Sequence, residues 1–216
     1  MKRTLLLCAL ISAVALAGSA YAWPQLGPVV PIHFGLGGQA DGFAPKGMGL
    51  LLLPAIAFLT PLLVAAILQL DPRKDHIAAS MPALRTVLVS TTAFLAFVHG
   101  LVLHAALGDS VLSERAMFVA MGALFVAIGS ALPGLRSNWF AGIRTPWTLQ
   151  SERVWERTHR IGGRAFAATG VVVVLAGLLL PSAWALGLSL VALVVGTTVP
   201  VVLSYRYWKD ERAATR

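Results

Sequence analysis

The chain has 216 residues, of which 57% are apolar and 12% charged, with a formal net charge of +8. A mean hydropathy of +0.79 excludes an ordinary water-soluble domain, which must turn polar surface to solvent on most sides. The bilayer removes that requirement, and the basic residues fall between and after the apolar runs, which points to membrane topology and away from direct nucleic-acid binding.

Six runs, 4–22, 49–70, 86–107, 116–135, 165–180 and 184–205, are long enough, or nearly so, to cross a hydrocarbon core of ~30 Å at ~1.5 Å per residue. The first carries two readings. Lys2-Arg3, an apolar stretch and Ala20-Tyr21-Ala22 before Trp23 resemble a cleavable signal peptide. The length of the run favours a retained helix over residues 1–22. Cys8, the single cysteine, lies inside it, so the sequence holds no intrachain disulfide and no Cys-based zinc site.

Residues 23–48 follow as an extracytoplasmic loop. Pro24, Pro28, Pro31 and Pro45 and six glycines rule out a long helix there. Pro31 to Phe34 reads as a short extended piece, and Gly37-Gly38 and Asp41-Gly42 read as turns. Trp23, Phe34 and Phe43 are expected to pack the loop on the membrane surface. His33 and Asp41 are its groups with evident site chemistry.

The second to fourth spans occupy 49–135. Pro54 and Pro61 remove backbone donors and should bend the second. His99 and His104 lie toward the outer end of the third, and ionisable groups there commonly face the bundle interior. His33, Asp41, His104 and Asp109 are all placed near one surface. No local ligand spacing supports a metal site, and none is assigned; no cofactor is implied. Gly122 and Gly129 in the fourth span, and Gly170 and Gly177 in the fifth, permit close helix contact.

Residues 136–164 form a polar island rich in Trp and Arg. Thr145-Pro146 is a helix start, with Thr as N-cap and Pro in the first turn, and Ser151-Glu152 offers another. Arg153, Arg157, Arg160 and Arg164 share one helical face, while Val154, Trp155, Thr158 and Ile161 share another. That pattern predicts an amphipathic helix lying on an anionic leaflet, with Trp139, Trp147 and Trp155 at headgroup level. The last two spans, 165–205, are joined by residues 181–183 as a tight hairpin, and 206–216 is a basic tail.

Charge sets the orientation. With the N-terminus inside, all of the 17 Lys and Arg except Lys46 and Arg115 fall on the cytoplasmic side. The predicted fold class is an all-α integral membrane protein of six transmembrane helices, with both termini cytoplasmic, short loops and an amphipathic cytoplasmic helix.

Asn138, Gly142, Ile143, Arg144, Thr145, Pro146, Trp147, Thr148 and Leu149, then Trp155, Thr158, His159, Arg160 and Gly163, resemble the cytoplasmic motif of the SdpI family of bacterial membrane immunity and signalling proteins. Pro31, His33, Phe34, Gly38, Asp41 and Lys46 resemble the small domain of unknown function that precedes that motif in the family. The family often has Gly-Asn before the inner motif, where this chain has Gly129-Ser130. The resemblance implies a multi-pass protein of the bacterial plasma membrane that resists or senses a secreted membrane-active toxin peptide, with signalling to a cytosolic transcriptional regulator in some members. The outer residues would meet the ligand. The inner ones would meet membrane lipid headgroups or the regulator. A small membrane transporter or proton-coupled carrier using His99 and His104 is the alternative, although no acidic residue lies within a span. No Gly-x-Ser-x-Gly, His-Glu-x-x-His or Cys-His pair points to an enzyme.

Overall fold

The computed structural model describes residues 1–108 and 111–214; Asp109 and Arg216 lie outside the described residues. Its helices are α1 (Lys2–Ala22), α2 (Lys46–Leu68), α3 (Lys74–Ala79), α4 (Met81–Leu107), α5 (Glu114–Ala131), α6 (Pro146–Gln150), α7 (Glu152–Leu179) and α8 (Ser182–Ala214). Six of these are long and apolar enough to cross a membrane: α1, α2, α4, α5, α7 and α8. The protein is an all-α multi-pass membrane protein with one antiparallel hairpin, β1 (Val29–Phe34) and β2 (Ala40–Pro45), between α1 and α2.

The helices pack as two groups that share the α4–α5 contact: α1, α2 and α4 in one, and α5, α7 and α8 in the other. Small residues make both possible. Thr4, Cys8, Ser12, Ala15, Ser19 and Ala22 form the buried stripe of α1. In the second group the glycines of α5 and α7 face each other backbone to backbone. A Cβ added at Gly129 would stand 2.6 Å from the Gly163 carbonyl oxygen, and one at Gly163 would stand 2.6 Å from that of Gly129. Gly122 repeats the arrangement against Gly170, at 2.5 Å. Such contact leaves no room for a side chain at either position.

Three expectations change. The stretch 152–164 does not lie flat as a separate surface helix. It is the first part of α7, one unbroken helix of 28 residues, roughly 42 Å long at ~1.5 Å per residue. Gly162 and Gly163 do not interrupt it, because a helix already anchored at both ends by packing tolerates them. Its two faces are as the spacing predicts: Val154, Trp155 and Thr158 are buried, and Arg153, Arg157, Arg160 and Arg164 are exposed. The tail, likewise, is helical to Ala214 as the end of α8. Finally, Asp41-Gly42 is not a turn. Both residues lie in β2, opposite an irregular stretch of β1 around His33, where Gly42 pairs with His33. The chain reverses earlier, at Gly37 and Gly38, whose φ values of 94° and 74° suit glycine.

Candidate functional site

The two ends of the bundle carry separate polar assemblies. At the motif end, 136–151 is a folded cap whose groups are mostly spent on one another. Asn138, fully buried, is the hub of its first turn. Its Nδ2 donates to the carbonyls of Arg136 (2.8 Å) and Ala141 (3.0 Å), while its Oδ1 accepts from the amides of Phe140 and Ala141. Thr145 caps α6 in a reciprocal capping box with Thr148. The Thr148 hydroxyl also contacts the Ile143 carbonyl, at 3.0 Å.

His159 holds this cap to α7. Its Nε2 accepts from the Ile143 amide at 2.9 Å, and its Nδ1 donates to the Trp155 carbonyl at 2.9 Å. Both bonds together require the neutral ring with the proton on Nδ1. The ring stacks on Trp155, with centroids 4.0 Å apart, and Trp155 Nε1 donates to the Leu135 carbonyl at 2.7 Å. Gly142, at φ 110°, passes over the His159 ring so closely that any Cβ would collide with it. Thr158 is buried beside these groups, its hydroxyl without a partner.

Other elements close on the cap. Asp71, fully buried, accepts from the amides of Arg73 (2.8 Å) and Trp139 (2.7 Å). Arg73 donates to Ser137 Oγ and to the Leu149 carbonyl. From α8, Ser204 accepts from Trp147 Nε1, and Tyr205 packs edge-on against the Trp147 ring at 5.3 Å. Of the motif residues, then, Asn138, Trp155, Thr158 and His159 are internal. Trp147 is half-buried, and Gly142 and Pro146 shape the chain. Arg144 is exposed, its guanidinium donating to the Trp139 carbonyl at 2.6 Å. Among the residues that remain accessible to a headgroup or a partner are Arg144, Trp139, Phe140 and the arginine stripe of α7, with Glu152 and Glu156 exposed beside them.

At the hairpin end, His33 Nδ1 and Asp41 Oδ1 are 2.5 Å apart, with both side chains largely exposed. Phe34 turns inward onto Val102, Ala105 and Leu112, and Pro31 and Gly38 are buried. Lys46 is a brace for the loop base: its Nζ donates to the carbonyls of Trp23 (3.1 Å) and Leu26 (3.0 Å) and sits over the Trp23 ring. Among the described residues no three His, Cys, Asp or Glu converge as a metal site. His104 is exposed at the end of α4. His99 instead is buried in the α1–α2–α4 group. Its Nε2 lies 2.7 Å from Ser19 Oγ, which donates to the Leu50 carbonyl at 2.6 Å.

Under the hairpin, between α2, α4 and α5, lies an apolar cavity of about 610 Å³. Glu114 is among the residues that line it. Glu114, in the first turn of α5, accepts from the Gly37 amide at 2.7 Å through Oε1 and from the Ser182 hydroxyl through Oε2. It therefore ties the hairpin turn to the start of α8. The Leu112 amide adds a bond to the Gly38 carbonyl, at 2.8 Å. Nothing local distinguishes Glu114 from an ordinary acid in a helix's first turn. Asp71 and Arg73 were equally unmarked among the loop charges. Asp71 and Arg73 share one local bond, but the bonds that tie Glu114, Asp71 and Arg73 to other elements span 64 or more residues, so spacing holds no trace of them.

The fold and its two capped ends define a six-span membrane protein with a short β-hairpin at one end and a wired Trp/Arg cap at the other. Family models agree in both places: the SdpI/YfhL protein family matches residues 134–205, and a domain of unknown function (DUF1648) matches residues 10–58. Over those segments the chain is similar to the SdpI family and to the domain that accompanies it. It is 22% identical over 103 residues to the immunity protein SdpI of Bacillus subtilis (strain 168), an alignment covering 48% of this chain and 49% of that protein. The chain thus spans about half the length of the curated relative it matches. No solved structure matches it.

Proposed function

We propose that this is a non-enzymatic immunity or sensing protein of the bacterial plasma membrane. It meets a secreted membrane-active toxin peptide at the hairpin end and reports to the cytoplasm at the motif end. The relative's name supports the immunity role, and the clustering of basic residues at the motif end supports the orientation. The observation that carries the reading is the continuous connection between the ends. The hairpin turn is bonded through Glu114 to α5 and α8, α5 and α8 both pack on α7, and α7 and α8 carry the cap through His159 and Ser204. A ligand that binds one arrangement of the hairpin better than another would shift the cap with it.

At the motif end, Arg144 and the arginines of α7 hold anionic headgroups, and the exposed part of the cap is the surface for a cytosolic regulator. A carrier is served less well, because His99 spends Nε2 on a helix-packing bond with Ser19. Deleting the gene and challenging cells with membrane-active peptides, including any encoded nearby, tests the proposal. Loss of resistance to one of them is expected; unchanged sensitivity to all would refute it.

A further inference from the structure

The cavity beneath the hairpin has a composition that selects a ligand. Its walls are Leu52, Leu53, Val98 and Val102, with Met117 and Met121. Its volume of about 610 Å³ lies within the ~300–1,000 Å³ usual for ligand sites. Methionine walls adapt to irregular apolar shapes, a property of surfaces that bind peptides. Two ionisable side chains reach the cavity, His33 and Glu114, and no Lys or Arg lines it. His33 is engaged by Asp41. Glu114 has only neutral partners, one amide and one hydroxyl, and no Lys or Arg is within ion-pair distance of it among the described residues. A carboxylate held by neutral dipoles at the edge of an apolar space still gains from a cation, since charge-assisted bonds are about twice as strong as neutral ones.

We propose that this cavity binds an apolar peptide segment that carries one positive charge, a basic side chain or a free amino terminus. The apolar side chains enter between α2, α4 and α5, and the cation pairs with Glu114. A phospholipid fits less well: its phosphate would face the Glu114 carboxylate with no Lys or Arg in the lining to receive it. The inference rests on the toxin-binding reading and supplies the chemistry of its ligand.

The test uses the full chain in phosphatidylcholine nanodiscs and two synthetic pentapeptides of leucine and photo-leucine, one ending in lysine amide and the other in acetyl-lysine amide. Photolabelling is mapped by mass spectrometry. Label is expected on 48–53, 98–102 and 117–121, with the lysine peptide favoured about tenfold over its neutral twin. Glu114→Gln should abolish that preference, bringing the ratio of the two peptides' labelling to about one. Met121→Trp, which fills the cavity, should suppress both peptides, and it remains informative if the Glu114 variant does not fold. Equal labelling by the two peptides, label spread over all lipid-facing helices, or displacement by short-chain phosphatidylethanolamine at the peptide's own concentration would each overturn the proposal. Resistance that persists in cells without cavity labelling in vitro would refute this site and leave the immunity reading standing.

Discussion

Replacing His159 with alanine tests whether the motif is an internal fastening. The imidazole is fully buried, accepts the Ile143 amide, donates to the Trp155 carbonyl and stacks on the Trp155 ring. Truncation strands the Ile143 donor and the Trp155 acceptor. The latter can still serve as an α-helical acceptor, so only the first is counted, at about 1–3 kcal/mol. Loss of the stack adds about 0.5–1.5 kcal/mol. The sum, about 1.5–4.5 kcal/mol, should fall on the cap rather than on the spans, since the lost bond joins residue 143 to α7. Hydrogen–deuterium exchange reads it directly: the Ile143 amide should lose at least about tenfold in protection at ~1.4 kcal/mol per decade. Amides in the middle of α4 should be unchanged. His159→Phe keeps the stack and the volume, so it should recover the smaller part of the loss and leave the Ile143 amide exposed to exchange. Protection at Ile143 within twofold of the parent in His159→Ala would refute the argument.

Four further outcomes are expected. Ser19→Ala removes the hydroxyl that joins α1 to Leu50 and His99; it should cost about 1–2 kcal/mol in a detergent unfolding titration, and a loss below a few tenths would mean α1 is held by shape alone. Gly129→Val places a side chain where the Gly163 carbonyl stands, a Cβ alone lying within 2.6 Å of it; a loss of about 1–3 kcal/mol is expected, against near neutrality for Gly187→Val, where nothing stands within 4 Å. In a Cys8→Ala background, Leu36→Cys should react with an impermeant maleimide on intact cells and Trp139→Cys only after lysis; the reverse pattern would invert the assigned orientation. Changing Arg153, Arg160 and Arg164 together to Gln should weaken the binding of anionic phospholipid by the nanodisc-embedded protein by about 1 kcal/mol per charge while leaving thermal stability unchanged; a stability loss instead would show that the stripe packs internally.

Much of the architecture is legible along the chain because it depends on spacing and hydropathy. The six spans follow from run length in a medium with no water. The caps at Thr145 and Ser151 follow from hydroxyls ahead of helix formers, and both side chains do accept from the first turn. Two faces of α7 follow from its 3.6-residue period. The strands of the hairpin were half legible: Pro31 to Phe34 reads as extended, but the turn position depended on which glycines meet Leu112 and His33. Site roles were harder. Asn138, Thr158 and His159 are polar residues in a polar island, and sequence cannot tell a solvated polar group from one whose bonds are all internal.

The solvent, the number of crossings, the apportioning of charge between two ends and the faces of the helices can all be read along the chain. All of these depend on residues within a few turns of one another. Only the tertiary structure decided that α7 runs unbroken from the cap into the bilayer-crossing region. It alone decided that Asp71, Arg73 and Ser204 close the cap, and that Glu114 joins hairpin, cavity and α8. These are choices of partner. A buried donor or acceptor must be satisfied by something, but which group satisfies it is set by the packing of helices distant in sequence, and no local pattern encodes that.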